Sequence, residues 1–104
     1  MADEDLGVLT EKEIKLRLKK FKGWEYNPKT HKISKEFVFK TFQEGINLIA
    51  KLAPFCDSID HHPDIHISYK KVLFELQRFS VGGKVTDRDF IIASKIEELY
   101  SILS

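Results

Sequence analysis

The stretch "DIHISYKKVLFEL", residues 64–76, restricts the possible folds more than any other part of this chain. Ile65, Ile67 and Tyr69 alternate with other residues, Lys70 and Lys71 break the run, and Val72, Phe74 and Leu76 alternate again. A period of two sends every second side chain to the same face of a strand, so the pattern predicts two strands meeting at a turn near the lysines. Each strand carries one apolar face. A lone hairpin is marginal in water, so further elements must cover that face.

The flanking segments supply them. "WEYNPKTHKISKEFVFK" has turn chemistry at Asn27 and Pro28, and Ile33, Lys35, Phe37 and Phe39 alternate after it, which predicts a second hairpin. "LTEKEIKLRLKKFKGW" opens with Thr10 and Glu13 in capping-box spacing and continues with Ile14, Leu18 and Phe21, a surface helix stopping near Gly23. "TFQEGINLIAKLAPFCD" predicts a helix with Phe42, Ile46, Ile49 and Ala53 on one side, ended by Pro54. "VTDRDFIIASKIEELYSIL" predicts a third, capped at Thr86, with Phe90, Ala93, Ile96 or Leu99, and Leu103 along its inner face. The glycines of "VGGK" suit a tight turn or bulge before it.

The order α-β-β-α-β-β-α predicts an α+β fold, a four-stranded antiparallel sheet with helices packed on one face, formed as a single domain by residues 1–104. The opposite sheet face, with Leu73, Glu75, Gln77 and Phe79, is left to solvent or to another subunit.

Composition narrows the function. Seventeen basic residues against sixteen acidic ones provide no positive field for a phosphate backbone, so direct nucleic-acid binding is not expected. No apolar run reaches the roughly 18 residues of a membrane span, and the acidic start "MADEDLGVLTEK" lacks the order of a signal peptide. With a single cysteine, Cys56, no internal disulfide is possible, and a cytoplasmic location is the expectation.

Chemistry concentrates in "DHHPDIH", residues 60–66, which holds three of the four histidines. Adjacent histidines rarely both reach one tetrahedral zinc ion, Pro63 removes the helical i, i+4 geometry used by paired ligands, and no cysteine pair supports a structural site. Cys56, five residues before His61, has a thiolate reading and a plainer one as a small buried residue. Acid/base work suits imidazole, which titrates near neutrality, and the competing reading is a set of solvated loop histidines. His31 beside "NPKT" reads as a turn residue. His66, between Ile65 and Ile67, belongs to the polar side of its strand.

Trp24, the strand "FVF", "DSIDHHPDIHISYKKVLFEL" and "TDRDFIIASKIEEL" together resemble the pterin-4a-carbinolamine dehydratase family, from about Thr10 to the C-terminus. The resemblance implies a homodimer or homotetramer that dehydrates 4a-hydroxytetrahydropterins to quinonoid dihydropterins with no metal and no cofactor. It implies His61, His62 and Asp89 as catalytic residues, and Asp57, Asp60, Pro63, Arg78, Phe79 and Trp24 around the pterin. Tyr69 and Val72 fall at family positions, and Asp57 stands where glutamate is commoner. The expected division of labour has His62 protonating the leaving hydroxyl and His61 accepting a proton, while Asp89 has a second reading as a helix cap. One departure stands out: the family's third histidine is replaced by Phe79, beside Arg78, which cannot move protons. That substitution opens an alternative, a pterin-binding or protein-interaction module of reduced activity.

Overall fold

The computed structural model describes residues 8–77 and 84–103. Among them lie α1 (Glu11–Leu18), β1 (Glu25–Asn27), β2 (Lys32–Val38), α2 (Phe42–Ile59), β3 (Asp64–Ser68), β4 (Lys71–Leu76) and α3 (Asp87–Leu103), in the expected order. The four strands form one antiparallel sheet in the order β1-β2-β4-β3.

Register follows from burial. Ile33 pairs with Leu76 and Phe37 with Val72, and Lys35 with Phe74, so the apolar sets of β2 and β4 share one face. That face meets Ile14 of α1, Leu48, Leu52 and Cys56 of α2, and Phe90, Ile92, Ala93 and Ile96 of α3 in a single core. A one-residue slip would turn every one of these strand residues outward, which is why the pairing is so well specified. Lys35 sits on the inner face, where its Nζ donates to Glu97 Oε2 at 2.6 Å and to the Lys22 carbonyl at 2.9 Å, over the Phe37 ring. The outer face pairs its own polar groups, His66 with Glu75 and Lys32 with Asp64.

Local details differ from expectation in three places. Helix α1 begins with the expected Thr10–Glu13 capping box but ends at Leu18, one turn before Gly23. The N–H groups of Lys19, Lys20 and Phe21 reach carbonyls three residues back, a tightening that ends helices without a breaker. The β3–β4 turn is made by Tyr69 and Lys70, with Tyr69 at φ 55°, exposed and out of the strand alternation. Helix α2 runs through Pro54 to Ile59 and buries Gly45, Leu48, Leu52 and Cys56, leaving Phe42 half exposed. Proline removes one N–H, but Pro54 and its would-be acceptor Ala50 both lie on the exposed side, where water can bond the freed carbonyl. The inner stripe wins because Gly45 admits a close approach: a Cβ there would stand 3.2 Å from Val72 Cγ2.

Candidate active site

The histidine turn is built by the way α2 stops. Asp60 takes the left-handed conformation (φ 52°, ψ 48°), its N–H donates to the Asp57 carbonyl at 3.3 Å, and the N–H of His61 donates to the Cys56 carbonyl at 3.1 Å. These are the two bonds of a Schellman cap, here with aspartate in the place glycine usually fills. Pro63 then restricts His62 to extended backbone before β3 begins. Adjacent residues of an extended segment project to opposite sides, and this accounts for the different fates of the two imidazoles.

His61 turns inward. Its ring is 5% exposed and its Nε2 meets Oδ1 of the fully buried Asp89. The second carboxylate oxygen of Asp89 accepts the Thr86 N–H at 2.8 Å, so this one aspartate both caps α3 and holds the imidazole. The helix-cap reading of Asp89 is met, and the same carboxylate also reaches His61. His62 turns outward, with 54% of its side chain exposed, and its Nε2 lies 2.8 Å from Oδ1 of Asp57, one turn earlier on α2. A carboxylate accepts only, so it selects the tautomer with hydrogen on Nε2 and leaves Nδ1 as the exchangeable nitrogen.

Arg88 was overlooked in the sequence. Its Nη1 donates to the Ile59 carbonyl at 2.8 Å, tying the start of α3 to the last turn of α2 between the two histidine–aspartate pairs. It lies within "TDRD", but only three-dimensional proximity links it to a residue 29 positions away. Cys56, just beneath the turn, is 2% exposed. Burial, reinforced by the nearby Asp57 charge, pushes its thiol up to about 11, so near neutrality it is a small apolar neighbour and not a thiolate.

A cavity of about 110 Å³ adjoins His62, walled by Ile49, Leu52, Ala53 and Cys56 of α2, by Pro63, and by Ile65 of β3. A larger one, about 580 Å³, lies on the helical side among Arg17, Phe21, Phe55, Phe90 and Lys95, and holds no imidazole.

Other expected site residues fall at varied positions. Asp60 is exposed at the cap and Pro63 lines the small cavity. Trp24 stands apart: buried against Phe37, it donates Nε1–H to Glu97 at 2.8 Å, and Glu97 is roughly 12 Å along α3 from Asp89. His66 is on the outer sheet face, bonded to Glu75, and His31 accepts or donates to the Tyr26 hydroxyl in the β1–β2 turn. Arg78, Phe79 and residues 81–83 of the "VGGK" turn lie outside the described residues. Among the described residues no three His, Cys, Asp or Glu side chains converge as a metal-binding group, and no helix is long and apolar enough to cross a membrane.

A family model described as "Pterin 4 alpha carbinolamine dehydratase" matches residues 7–99. A protein of Sulfolobus acidocaldarius named "Putative pterin-4-alpha-carbinolamine dehydratase" is 43% identical over 91 residues, spanning 88% of this chain and 97% of that one. The protein of the same name from Sulfurisphaera tokodaii is 46% identical over 91 residues, spanning 88% and 95%. Among solved structures, the transcriptional coactivator/pterin dehydratase from Brucella melitensis superposes with a TM-score of 0.82 at 31% identity, covering 88% of this chain and 96% of that one. A pterin dehydratase-like RuBisCO assembly factor of the alpha-carboxysome shares the fold alone, with a TM-score of 0.61 at 19% identity over 74% of this chain and 88% of its own.

Proposed function

This chain belongs to the pterin-4a-carbinolamine dehydratase family, and from that premise we propose that it removes water from a 4a-hydroxytetrahydropterin to give the quinonoid dihydropterin. The observation that carries the reading is the corner where α2 ends and α3 begins, with two imidazole–carboxylate pairs on successive residues.

The reaction breaks the C4a–O bond and the N5–H bond and forms a C4a=N5 double bond. It needs an acid at the hydroxyl and a base at N5. In this proposal His62 acts as the acid in its doubly protonated form: it is solvent-accessible, its Nε2–H is held by Asp57, and its Nδ1–H goes to the departing oxygen, to be replaced from water. The family resemblance assigns the N5 proton to His61; with Nε2 engaged by Asp89, Nδ1 would take it, and the carboxylate would steady the imidazolium. Asp57 acts through His62, and Asp60 and Pro63 flank the pterin. Arg78, Phe79 and Trp24 enter the proposal from the family resemblance only. In this proposal the protein works in the cytoplasm, as the homodimer or homotetramer that the resemblance implies, with no cofactor and no direct nucleic-acid contact.

The decisive measurement is stopped-flow decay of a 4a-hydroxytetrahydropterin. Acceleration over buffer is expected. A rate equal to that of buffer would reject the enzyme and leave the alternative class, a pterin-binding or interaction module, which Phe79 in place of the third histidine favours. The substitution Phe79→His is expected to raise the rate by roughly 10²-fold or more, the lower end of what one positioned acid/base group contributes. No gain would remove residue 79 from the site.

A further inference from the structure

The cavity beside His62 has walls of a different character from the rest of the site. Ile49, Leu52, Ala53 and Ile65 present only hydrocarbon, and the polar side-chain atoms at its surface are those of the His62 ring and the Cys56 thiol. His62 bonds Asp57, and the Cys56 thiol is buried. The cavity measures about 110 Å³, too small for a bicyclic ring system, since sites for whole ligands run from roughly 300 Å³ upward. It is large enough for a short side arm: a propyl group occupies roughly 75 Å³ at the packing density of protein interiors.

Substrate connectivity supplies the other half. In a 4a-hydroxytetrahydropterin C4a is bonded to N5 and N5 to C6, so whatever C6 carries leaves the ring two bonds from the carbon that loses its hydroxyl. A guest whose hydroxyl touches His62 therefore brings its C6 substituent to the neighbourhood of that imidazole, and the imidazole is one wall of the cavity. Resting on the dehydratase reading, we propose that this cavity is a subsite for a short alkyl group at C6, so that 6-alkyl pterins are preferred over 6-polyhydroxyalkyl ones. Each methylene moved from water into hydrocarbon raises binding about fourfold. Each hydroxyl forced into the same walls loses its water partners without replacement, at roughly tenfold in affinity.

The test uses 4a-hydroxytetrahydropterins with hydrogen, methyl, propyl or trihydroxypropyl at C6 in the stopped-flow assay, and titration calorimetry of the matching 7,8-dihydropterins for binding. Affinity and kcat/KM are expected to rise about fourfold per carbon from hydrogen to propyl, with trihydroxypropyl at least tenfold below propyl. Ala53→Leu fills the cavity from a position exposed on α2 and is expected to cut the propyl-to-hydrogen ratio about tenfold. Ile49→Ala enlarges the cavity and is expected to shift the preference toward longer chains. Equal turnover of all four compounds would overturn the subsite and leave the dehydratase standing. The expected ranking in binding without any turnover would do the reverse, and failure to bind any of them would overturn both.

Discussion

His61 and His62 are neighbours in sequence and opposites in environment: one imidazole is nearly buried against Asp89, the other open and paired with Asp57. Replacing His62 by alanine is expected to lower kcat by roughly 10²- to 10⁴-fold, the usual worth of a positioned acid, with the thermal midpoint little changed because the side chain is half exposed. An unaltered stopped-flow rate would remove His62 from the mechanism. Beneath them, Cys56 carries a prediction about pH. Burial raises its folded pKa from 9.0 to about 11, so between these values the unfolded chain releases a proton that the native one keeps. The thiol therefore lowers stability as pH rises from about 9 to 11, by up to roughly 1.4 kcal/mol per unit, and has no effect at neutrality. Urea titrations of wild type and Cys56→Ala across that range should diverge with this sign. Parallel curves would mean that the thiol ionises as freely in the native state as in the unfolded one.

Two helix ends make the site, and each uses a bond beyond its own ladder. The Schellman cap at Asp60 reverses the chain so that the histidines follow at once. The cap of α3 spends one oxygen of Asp89 on Thr86 and keeps the other for His61. Arg88 joins the two ends through the Ile59 carbonyl. Arg88→Met keeps the aliphatic stem and removes that bond, so turnover is expected to fall while the far sheet is untouched. Hydrogen exchange would report it as faster exchange at residues 59–62 with β2 and β4 unchanged, and Arg88→Lys should recover part of the loss. Uniform acceleration throughout the chain would instead point to a general loss of stability. At this scale the sequence was only partly readable. The alternation of Val72, Phe74 and Leu76 survives intact in β4, because a sheet with one covered face has a single workable register. Helix α2 was misread because two stripes, Phe42–Ile46–Ile49–Ala53 and Gly45–Leu48–Leu52–Cys56, have the same helical period. Periodicity cannot say which of two apolar sides meets the sheet.

For the molecule as a whole, that second stripe of α2 has a consequence. Phe42 remains 49% exposed with Ile46 beside it, whereas the polar groups of the outer sheet face already pair with one another. If the chain assembles as the resemblance implies, α2 is the better contact, since apolar area without a covering element is what association removes from water. Light scattering is expected to find Phe42→Glu monomeric and Leu73→Glu still associated; the opposite pair of results would transfer the contact to the sheet. The α+β architecture, the two hairpins and the starts of the helices were legible in the sequence by itself, because period, turn chemistry and capping are local properties that one stretch of chain expresses alone. The inward turn of His61, the double duty of Asp89, the bond from Arg88 to Ile59 and the apolar hollow beside His62 were decided only by tertiary structure. Each joins or lies between segments distant in sequence, and the burial that gives those contacts their strength comes into being only when the helices close on the sheet.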